Sequence, residues 1–344
     1  MNKALRAAIV GYGVVGKKRK LFIEQNRNYK LVYISDIKYK KNFKSKSIVF
    51  CKYYKEILKK NIDVVFITLP TYLAARVTLA FLKRGAHVFC EKPPAKNVNE
   101  IKKVIKLSKK FPNLKIKYGF NHRYHSSVTL AKKIIKSNKY GKILNLRCLY
   151  GKSKIIVPYD DRYTGTKSDW RSKKKLSGGG ILLDQGIHLL DLLRFFNGDF
   201  KEYKSFISNK FWNHNVEDNA FALMRDKKGV IASIHSTATQ WQHKFRIEIT
   251  LKHALIELWG ILSGSKSYGQ ESLRLIERLP QSSKGYAIKK KYFFKKDNSW
   301  KKEIDEFANT ILKNLNIKTG NIYDALQVMK MVEKIYRADK KWRL

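Results

Sequence analysis

Apolar residues follow two different rhythms along this chain. Up to about Gly119, short unbroken apolar runs alternate with stretches in which apolar residues return every three or four positions. Ala7-Ala8-Ile9-Val10, Lys30 to Asp36, Ile48 to Phe50, Ile62 to Thr68, Ala86 to Cys90 and Leu114 to Gly119 read as strands covered on both faces. Between them the spacing predicts helices from near Val14, over Tyr53 to Lys60, and from an N-cap at Thr71 to Arg84, with Gly85 at the stop. A further helix opens on Asn97-x-x-Glu100, the spacing of a capping box, while Lys41 to Lys46 reads as a solvated loop. Repeated units of this kind specify a mostly parallel, doubly wound sheet with a ligand crevice at the carboxyl ends of its strands.

Past Gly119 the rhythm becomes one of alternation. Ser126 to Asn138 reads as a helix and Ile143 to Tyr150 begins a strand. Phe221 to Arg225, Val230 to Thr237, Phe245 to Thr250 and Ala254 to Trp259 then alternate apolar and polar residues as half-buried strands do. Their aromatic face is expected to pack on helices or on another subunit, and His235 and His243 read as sheet residues. Ser263 to Gly269 is turn-rich, Lys289 to Lys296 resembles a charged edge strand, and two helices close the chain, Trp300 to Leu315 and Asn321 to about Asp339. Gly151 to Leu176 has weak periodicity and holds Tyr159-Asp160-Asp161-Arg162-Tyr163, Trp170 and Arg171, a composition suited to covering a site. Two α/β domains are expected, 1–122 and 123–344, with the last helices able to pack back on the first.

Charge complicates the picture. Lys and Arg total 73 against 27 Asp and Glu among 344 residues, a net +46. The lysines are spread through nearly every expected element and accompanied by Ile, Asn, Tyr and Phe, as codon drift in an AT-rich genome would produce. No zinc finger, zipper or RNP-type strand is visible, so specific nucleic-acid binding is not expected. Attraction of anionic substrates is a fair consequence of the field. Cys51, Cys90 and Cys148 are odd in number and form no Cys-x-x-Cys, which argues for a reducing, cytoplasmic setting without disulfides or a zinc site. The apolar N-terminus carries a glycine fingerprint and then Lys17-Lys18-Arg19-Lys20, so it reads as a strand and not a signal peptide; no run reaches the length of a membrane span.

Candidate chemistry clusters in three places. Gly11-x-Gly13-x-x-Gly16 follows a strand and opens a helix, the context in which glycines admit a dinucleotide's pyrophosphate to the helix N-terminus. Asp36 ends the second strand, where a ribose hydroxyl ligand is expected; it favours NAD, although Lys38, Lys40 and Lys41 could neutralise the extra phosphate of NADP. Glu91-Lys92-Pro93 sits at the carboxyl end of another strand, where an ammonium can stabilise a developing oxyanion. The third place is Gly178-Gly179-Gly180, followed by Asp184, His188 and Asp191 in an apolar run that reads as a helix up to Gly198. On a helix Asp184 and His188 share a face one turn apart, with Asp191 at its border, an arrangement that can tune a general acid/base. The glycines would let backbone come close to substrate or cofactor.

Together these motifs resemble the glucose–fructose oxidoreductase/inositol dehydrogenase (Gfo/Idh/MocA) family. Asp63-Val-Val-Phe-Ile-Thr, Gly119-Phe-Asn121-His-Arg123-Tyr124, Trp170-Arg171 and Asp324-Ala325-Leu fit as well, in order along essentially the whole chain. The resemblance implies an N-terminal Rossmann domain and a C-terminal α/β domain on an open, mainly antiparallel sheet. It implies that Lys92 stands near the nicotinamide, Asp184 positions substrate and His188 is the general acid/base. Gly11, Gly13, Val14, Val15, Gly16, Asp36, Leu69, Pro70, Glu91 and Lys92 would line the cofactor. Asn121, Arg123, Tyr124, Trp170, Arg171, Asp184 and His188 would line the substrate, a sugar or polyol that can be nucleotide-linked. A homodimer or homotetramer is implied too. The chain departs from the family after Pro70, where Thr71-Tyr72-Leu73-Ala74-Ala75 lacks the usual Asn and His. That puts contacts from this loop in doubt. The alternatives are an NAD-dependent glycosidase of the same family and a catalytically silent binding protein on the same fold.

Overall fold

The unbroken apolar runs of the first domain make a sheet that is covered on both faces. A computed structural model describes residues 4–153, 170–263 and 266–342. Among the described residues, the strands of the first sheet are β1 (Leu5–Val10), β2 (Tyr29–Ser35), β3 (Phe43–Ser45), β4 (Ile48–Cys51), β5 (Val64–Ile67), β6 (His87–Cys90) and β7 (Ile116–Tyr118). Their order is β3-β4-β2-β1-β5-β6-β7, parallel throughout except for the antiparallel β3 edge. The order reverses at β1, so the crevice opens at the carboxyl ends of β1 and β5. All four residues of β5 are at most 1% exposed, which is why that stretch carries no polar alternation.

The β3 edge corrects the reading of Lys41 to Lys46 as loop. Phe43 stacks on Phe50 of β4 with ring centroids 4.6 Å apart, and that single apolar anchor holds a strand inside a polar run.

The second sheet contains β8 (Ile143–Gly151), β9 (Glu202–Ser208), β10 (Asn219–Arg225), β11 (Ile231–Thr237), β12 (Lys244–Leu251), β13 (Ala254–Trp259), β14 (Glu271–Arg278) and β15 (Tyr286–Phe294) among the described residues. Its order is β15-β14-β13-β12-β8-β11-β10-β9, antiparallel except where β8 runs parallel to β11. The lysine-rich β15 forms one edge, while β14 was absent from the alternation read in the sequence. One face packs on helices. The other leaves Phe206, Phe221, Leu223 and Ile231 exposed, Phe206 by 80%.

The division at 122/123 separates the two sheets, yet the helix Ser299–Leu312 belongs physically to the first domain. Its Phe307 packs on Phe66 and Phe89, with centroids 6.3 and 5.6 Å away, and Ile304 and Ala308 complete the same core. The last helix, Ile322–Ala338, is capped by Asn321, whose side chain accepts from the Asp324 N–H, and it packs between the two domains against Val98–Ser108, Ile187–Asn197 and β9. No described helix is long and apolar enough to cross a membrane, and the three cysteines are buried and free.

Candidate active site

The glycine turn after β1 is built so that no side chain fits. Gly11 has φ +92°, and a Cβ there would lie 2.7 Å from the Thr68 carbonyl oxygen; a Cβ on Gly16 would lie 2.2 Å from the Gly11 carbonyl oxygen. Gly13 is the extended N-cap of the helix Val14–Glu24, and Val14 and Val15 are exposed in its first turn. Leu69 flanks Gly11, and Pro70 precedes the helix Thr71–Lys83. Asp36 closes the other side. Its carboxylate accepts from the Tyr12 N–H (2.5 Å) and the Lys38 N–H (3.0 Å), and the Lys38 ammonium reaches the Tyr12 carbonyl oxygen (2.9 Å). Exposed amides at a helix start, a turn without side chains and a fixed carboxylate beyond it suit a dinucleotide.

Glu91 does something other than touch such a ligand. Its carboxylate is bound by Arg19 (Nε to Oε1, 2.7 Å), a fully buried guanidinium that also pairs with Glu303 at 2.7 Å. Arg19 lies over the rings of Phe89 and Trp300 (4.3 and 4.4 Å). Glu91 therefore ties the end of β6 to two helices, which corrects its reading as a cofactor ligand. Burial raises the Glu303 carboxyl to about 7, with Arg19 and Lys117 opposing.

The expected helix of Asp184 and His188 begins instead with a π-helical turn, Leu182–Gly186, and becomes α-helical only over Ile187–Asn197. The backbone there is wider than the α-helix expected, and a four-residue step still brings Asp184 and His188 back to nearly the same side of it. A buried carboxylate starts this element: Glu217 accepts from the Gly180 N–H (2.8 Å), the Leu182 N–H (2.9 Å) and the Tyr336 hydroxyl (2.8 Å). The three glycines serve that packing. A Cβ would come within 2.4 Å of the Lys96 carbonyl oxygen from Gly178, 2.2 Å of the Tyr336 hydroxyl from Gly179 and 2.1 Å of the Glu217 carbonyl oxygen from Gly180. Close approach to a ligand is thus not what demands them, although Gly179 and Gly180 do border the cleft.

That cleft is a shallow space of about 220 Å³ lined among others by Thr71, Pro93, Trp170, Arg171 and Asp184. The Lys92 ammonium donates to the Asp184 carbonyl oxygen at 2.6 Å. The Asp184 carboxylate meets Lys152 at 3.0 Å and the Arg171 Nε at 3.8 Å. Burial alone would raise the pKa of Asp184, but Lys152, Lys92 and Arg171 outweigh it and hold the carboxyl well below the usual range. Burial lowers the pKa of Lys92, with Asp184 opposing. Trp170 packs edge-on against Tyr72 (6.4 Å) and carries the Arg171 guanidinium over its face (4.4 Å).

His188 lies deeper, 4% exposed, stacked on His122 with centroids 3.7 Å apart and planes 12° from parallel. Its Nδ1 is buried with no hydrogen-bond partner among the described residues. Burial, then the charge of Lys92, holds its pKa well below 6.5, against the opposite pull of Asp184.

Asn121, Arg123 and Tyr124 are brought near this histidine pair by sequence, but their polar groups point into the protein. Arg123 forks onto Asp191 (2.7 and 2.6 Å) and reaches Asp324 (2.9 Å). Asp191 is fully buried in that pair and is no part of the acid/base face. Tyr124 donates to Glu306 (2.6 Å) and accepts from Lys117 (2.7 Å), while the Asn121 amide donates to the Ser299 hydroxyl (3.3 Å). Each of these polar groups is spent on a protein partner, so the substrate contacts expected of them are replaced by structural ones. His235 stacks on Phe221 (3.8 Å) within the sheet, and His243 bonds Ser153 and Ser267 beside it. Tyr159 to Tyr163 lie outside the described residues. Reading the sequence alone missed Lys152, His122 and Glu217; a lysine among so many carries no signal, and His122 and Glu217 acquire meaning only from distant partners.

Both halves of the chain match known protein families. Residues 5–118 match a family described as "Oxidoreductase family, NAD-binding Rossmann fold", and residues 128–257 match "GFO/IDH/MocA C-terminal domain". The chain is 32% identical over 148 residues to levoglucosan dehydrogenase of Pseudarthrobacter phenanthrenivorans, covering 43% of this chain and 36% of that protein. It is 29% identical over 199 residues to glucose-6-phosphate 3-dehydrogenase of Bacillus subtilis, covering 57% and 55%. With myo-inositol 2-dehydrogenase of Thermotoga maritima it shares 25% over 256 residues, covering 71% and 72%. The first of these matches span only about a third to a half of the relative's length. Among solved structures, levoglucosan dehydrogenase in complex with NADH superposes with a TM-score of 0.82 at 19% identity, over 98% of both chains, a likeness of fold.

Proposed function

This chain belongs to the GFO/IDH/MocA oxidoreductase family, and from that premise we propose that it moves a hydride between a nicotinamide dinucleotide and a CH–OH carbon of a sugar or polyol. The observation that carries the reading is His188: a buried imidazole whose Nδ1 has no protein partner among the described residues, close to the Lys92 ammonium, which the Asp184 carbonyl oxygen holds in place. Gly11, Gly13, Val14, Val15, Gly16 and Asp36 would hold the dinucleotide, which supplies the hydride acceptor or donor when bound. The chain's own residues do the rest. In the oxidising direction His188 takes the hydroxyl proton as hydride leaves the same carbon, and the Lys92 ammonium stabilises the negative charge on the oxygen. Asp184, ionised by its three cations, fixes Lys92 through its carbonyl and aims its carboxylate into the cleft beside Trp170 and Arg171. Sugars and polyols fit a cleft with one aromatic ring and several charged donors. A second copy of the chain is the natural cover for the apolar sheet face around Phe206, Phe221, Leu223 and Ile231.

The deciding experiment follows nicotinamide absorbance with NAD and NADP while offering levoglucosan, myo-inositol, glucose 6-phosphate and nucleotide sugars. NADH should also raise the melting temperature of the cofactor-free protein. Absence of a thermal shift with either dinucleotide would remove the foundation of the proposal. Net hydrolysis of a glycoside without net cofactor turnover would identify the glycosidase alternative.

Cofactor preference should follow Asp36. The Asp36→Ala variant should bind NADH about 10- to 100-fold more weakly, since a hydrogen bond to a charged group is worth about 1.5–3 kcal/mol. NADPH should lose less, because its 2′-phosphate is repelled by that carboxylate. Titrations of both dinucleotides test this; equal losses would mean that Asp36 only braces the Tyr12 amide.

The histidine pKa makes a second expectation for pH. A base works only unprotonated, and His188 is held well below 6.5. Oxidation should therefore stay near its maximum as pH falls through 6.5, whereas reduction, which needs the protonated ring, should rise toward acid. An acid limb for oxidation at about pH 7 or above would contradict the assigned base.

A further inference from the structure

His122 stands behind His188, and everything around it fixes its hydrogen-bonding state. Asp297 accepts from the Ser299 hydroxyl at 2.6 Å, so that hydroxyl is free only to accept, and it takes the Asn121 amide N–H at 3.3 Å. With its nitrogen thus oriented, Asn121 presents its oxygen to the His122 Nδ1 at 3.1 Å. An amide oxygen can only accept, so Nδ1 carries the proton. The Nε2 of His122 is then the acceptor, and the Tyr150 hydroxyl lies 3.1 Å from it. Tyr150 packs edge-on against Tyr268 with centroids 5.2 Å apart, and the Tyr268 hydroxyl accepts from Gln185 (2.5 Å), a residue of the π-helical turn itself. Asn121, His122, Tyr150 and Ser299 are all buried, and none of the side-chain polar atoms of these four is left without a partner. The direction of every bond follows from the carboxylate at one end.

We propose that His122 is a positioning residue for His188, held as a neutral Nδ1–H imidazole by the Asp297–Ser299–Asn121 chain so that its face fixes the plane of the reacting ring. This rests on the role given above to His188. The stack at 3.7 Å leaves no room for the His188 ring to flip without displacing its neighbour. Fixing His122 neutral also means that only one ring of the pair takes up the hydroxyl proton. The proton passes from substrate oxygen to His188 as the hydride leaves the same carbon, which the dinucleotide would accept when bound, and His122 keeps its own proton throughout. A second proton on His122 would have to displace the Tyr150 O–H, place two cations face to face, and add to the charge of Lys92. Burial, His188, His125 and Lys92 all act in that direction and hold its pKa well below 6.5. The other groups facing the pair do not reverse this: His125 is engaged with Glu271 at 2.7 Å, and Asp184 is engaged with Lys152 and Arg171.

The test reads the rings directly and needs no substrate. Protein labelled with 15N in its histidines is followed by long-range 1H–15N correlation from acid to mildly alkaline pH, with His122→Phe and His188→Gln supplying the assignments. His122 should show the Nδ1–H pattern at every pH, and His188 should give one sharp set of signals. His122→Phe keeps a flat ring in place and should leave the His188 signals sharp. His122→Ala admits water, so the His188 signals should broaden and its titration midpoint should rise by about one pH unit as desolvation is relieved. Retained stabilisation by NADH shows that each variant is folded. The proposal is overturned by a His122 that titrates near neutrality, by a proton on Nε2, or by His188 signals indifferent to His122→Ala. Those outcomes leave the role of His188 untouched. Conversely, normal turnover in His188→Ala with the ring pattern intact would leave the stack standing as a structural device and remove the function instead.

Discussion

His188→Ala should lower turnover by about two to four orders of magnitude, the range lost with a positioned general acid/base. Binding of the dinucleotide should survive, because the glycine turn and Asp36 belong to the other domain and share no hydrogen bond with the imidazole. Folding should survive as well. The Nδ1 of the imidazole has no hydrogen-bond partner among the described residues that removal would orphan, and the stack on His122 is the ring contact that is lost. Lys92→Met makes the companion variant, since an apolar chain of similar length removes the charge and little else. It should cost turnover comparably, as loss of an oxyanion donor does, typically about 100- to 1,000-fold. Rates measured at saturating substrate, with NADH thermal shifts as control, decide the matter. A His188→Ala variant turning over at the normal rate would reduce the site to a binding cleft on a dehydrogenase fold.

The order of the elements was legible in the sequence because burial on both faces writes itself as unbroken apolar runs. Val64–Ile67 is covered on each side, so nothing polar interrupts it. Phe43–Ser45 was not legible: its pairing depends on one ring stacked on Phe50, a contact between positions that no local rhythm connects. The glycine turn announced itself because three residues without side chains must stand close in sequence. The glycines at 178–180 gave the same signal for another reason. Their neighbours are Lys96, Tyr336 and Glu217, far apart in the chain, so the need for close packing was visible while its partners were not. The same holds for chemistry. Lys92, Asp184 and His188 appear in short motifs. Lys152 and His122, in contrast, gain their roles from partners distant in the chain, Asp184 in the turn at Leu182–Gly186 and His188 just after it. A period of 3.6 read into residues 184–188 could not foresee that the backbone there widens into a π turn.

Arg123→Met should destabilise the fold by about 3–5 kcal/mol without acting on substrate affinity, because it breaks a buried ion pair from one side. Asp191 is fully buried and its two oxygens take their described hydrogen bonds from Arg123 alone, at 2.7 and 2.6 Å. Left without the guanidinium it becomes an uncompensated charge between the helix Ile187–Asn197 and the turn Asn121–Tyr124. Asp324 suffers less, since Arg194 (3.0 Å) and the Gly320 N–H (3.0 Å) remain to it. At about 2–4 °C per kcal/mol for a domain of this size, the melting temperature should fall by about 6–20 °C. Replacing both partners, Arg123→Met with Asp191→Leu, should recover much of that loss, because an apolar pair of similar volume carries no stranded charge. The same experiment separates the two roles Arg123 could hold. A substrate ligand would show a raised KM at an unchanged melting temperature, and its double variant would recover nothing. The geometry requires the opposite: a lowered melting temperature, partial recovery in the double variant, and a KM close to that of the parent chain in whatever protein remains folded.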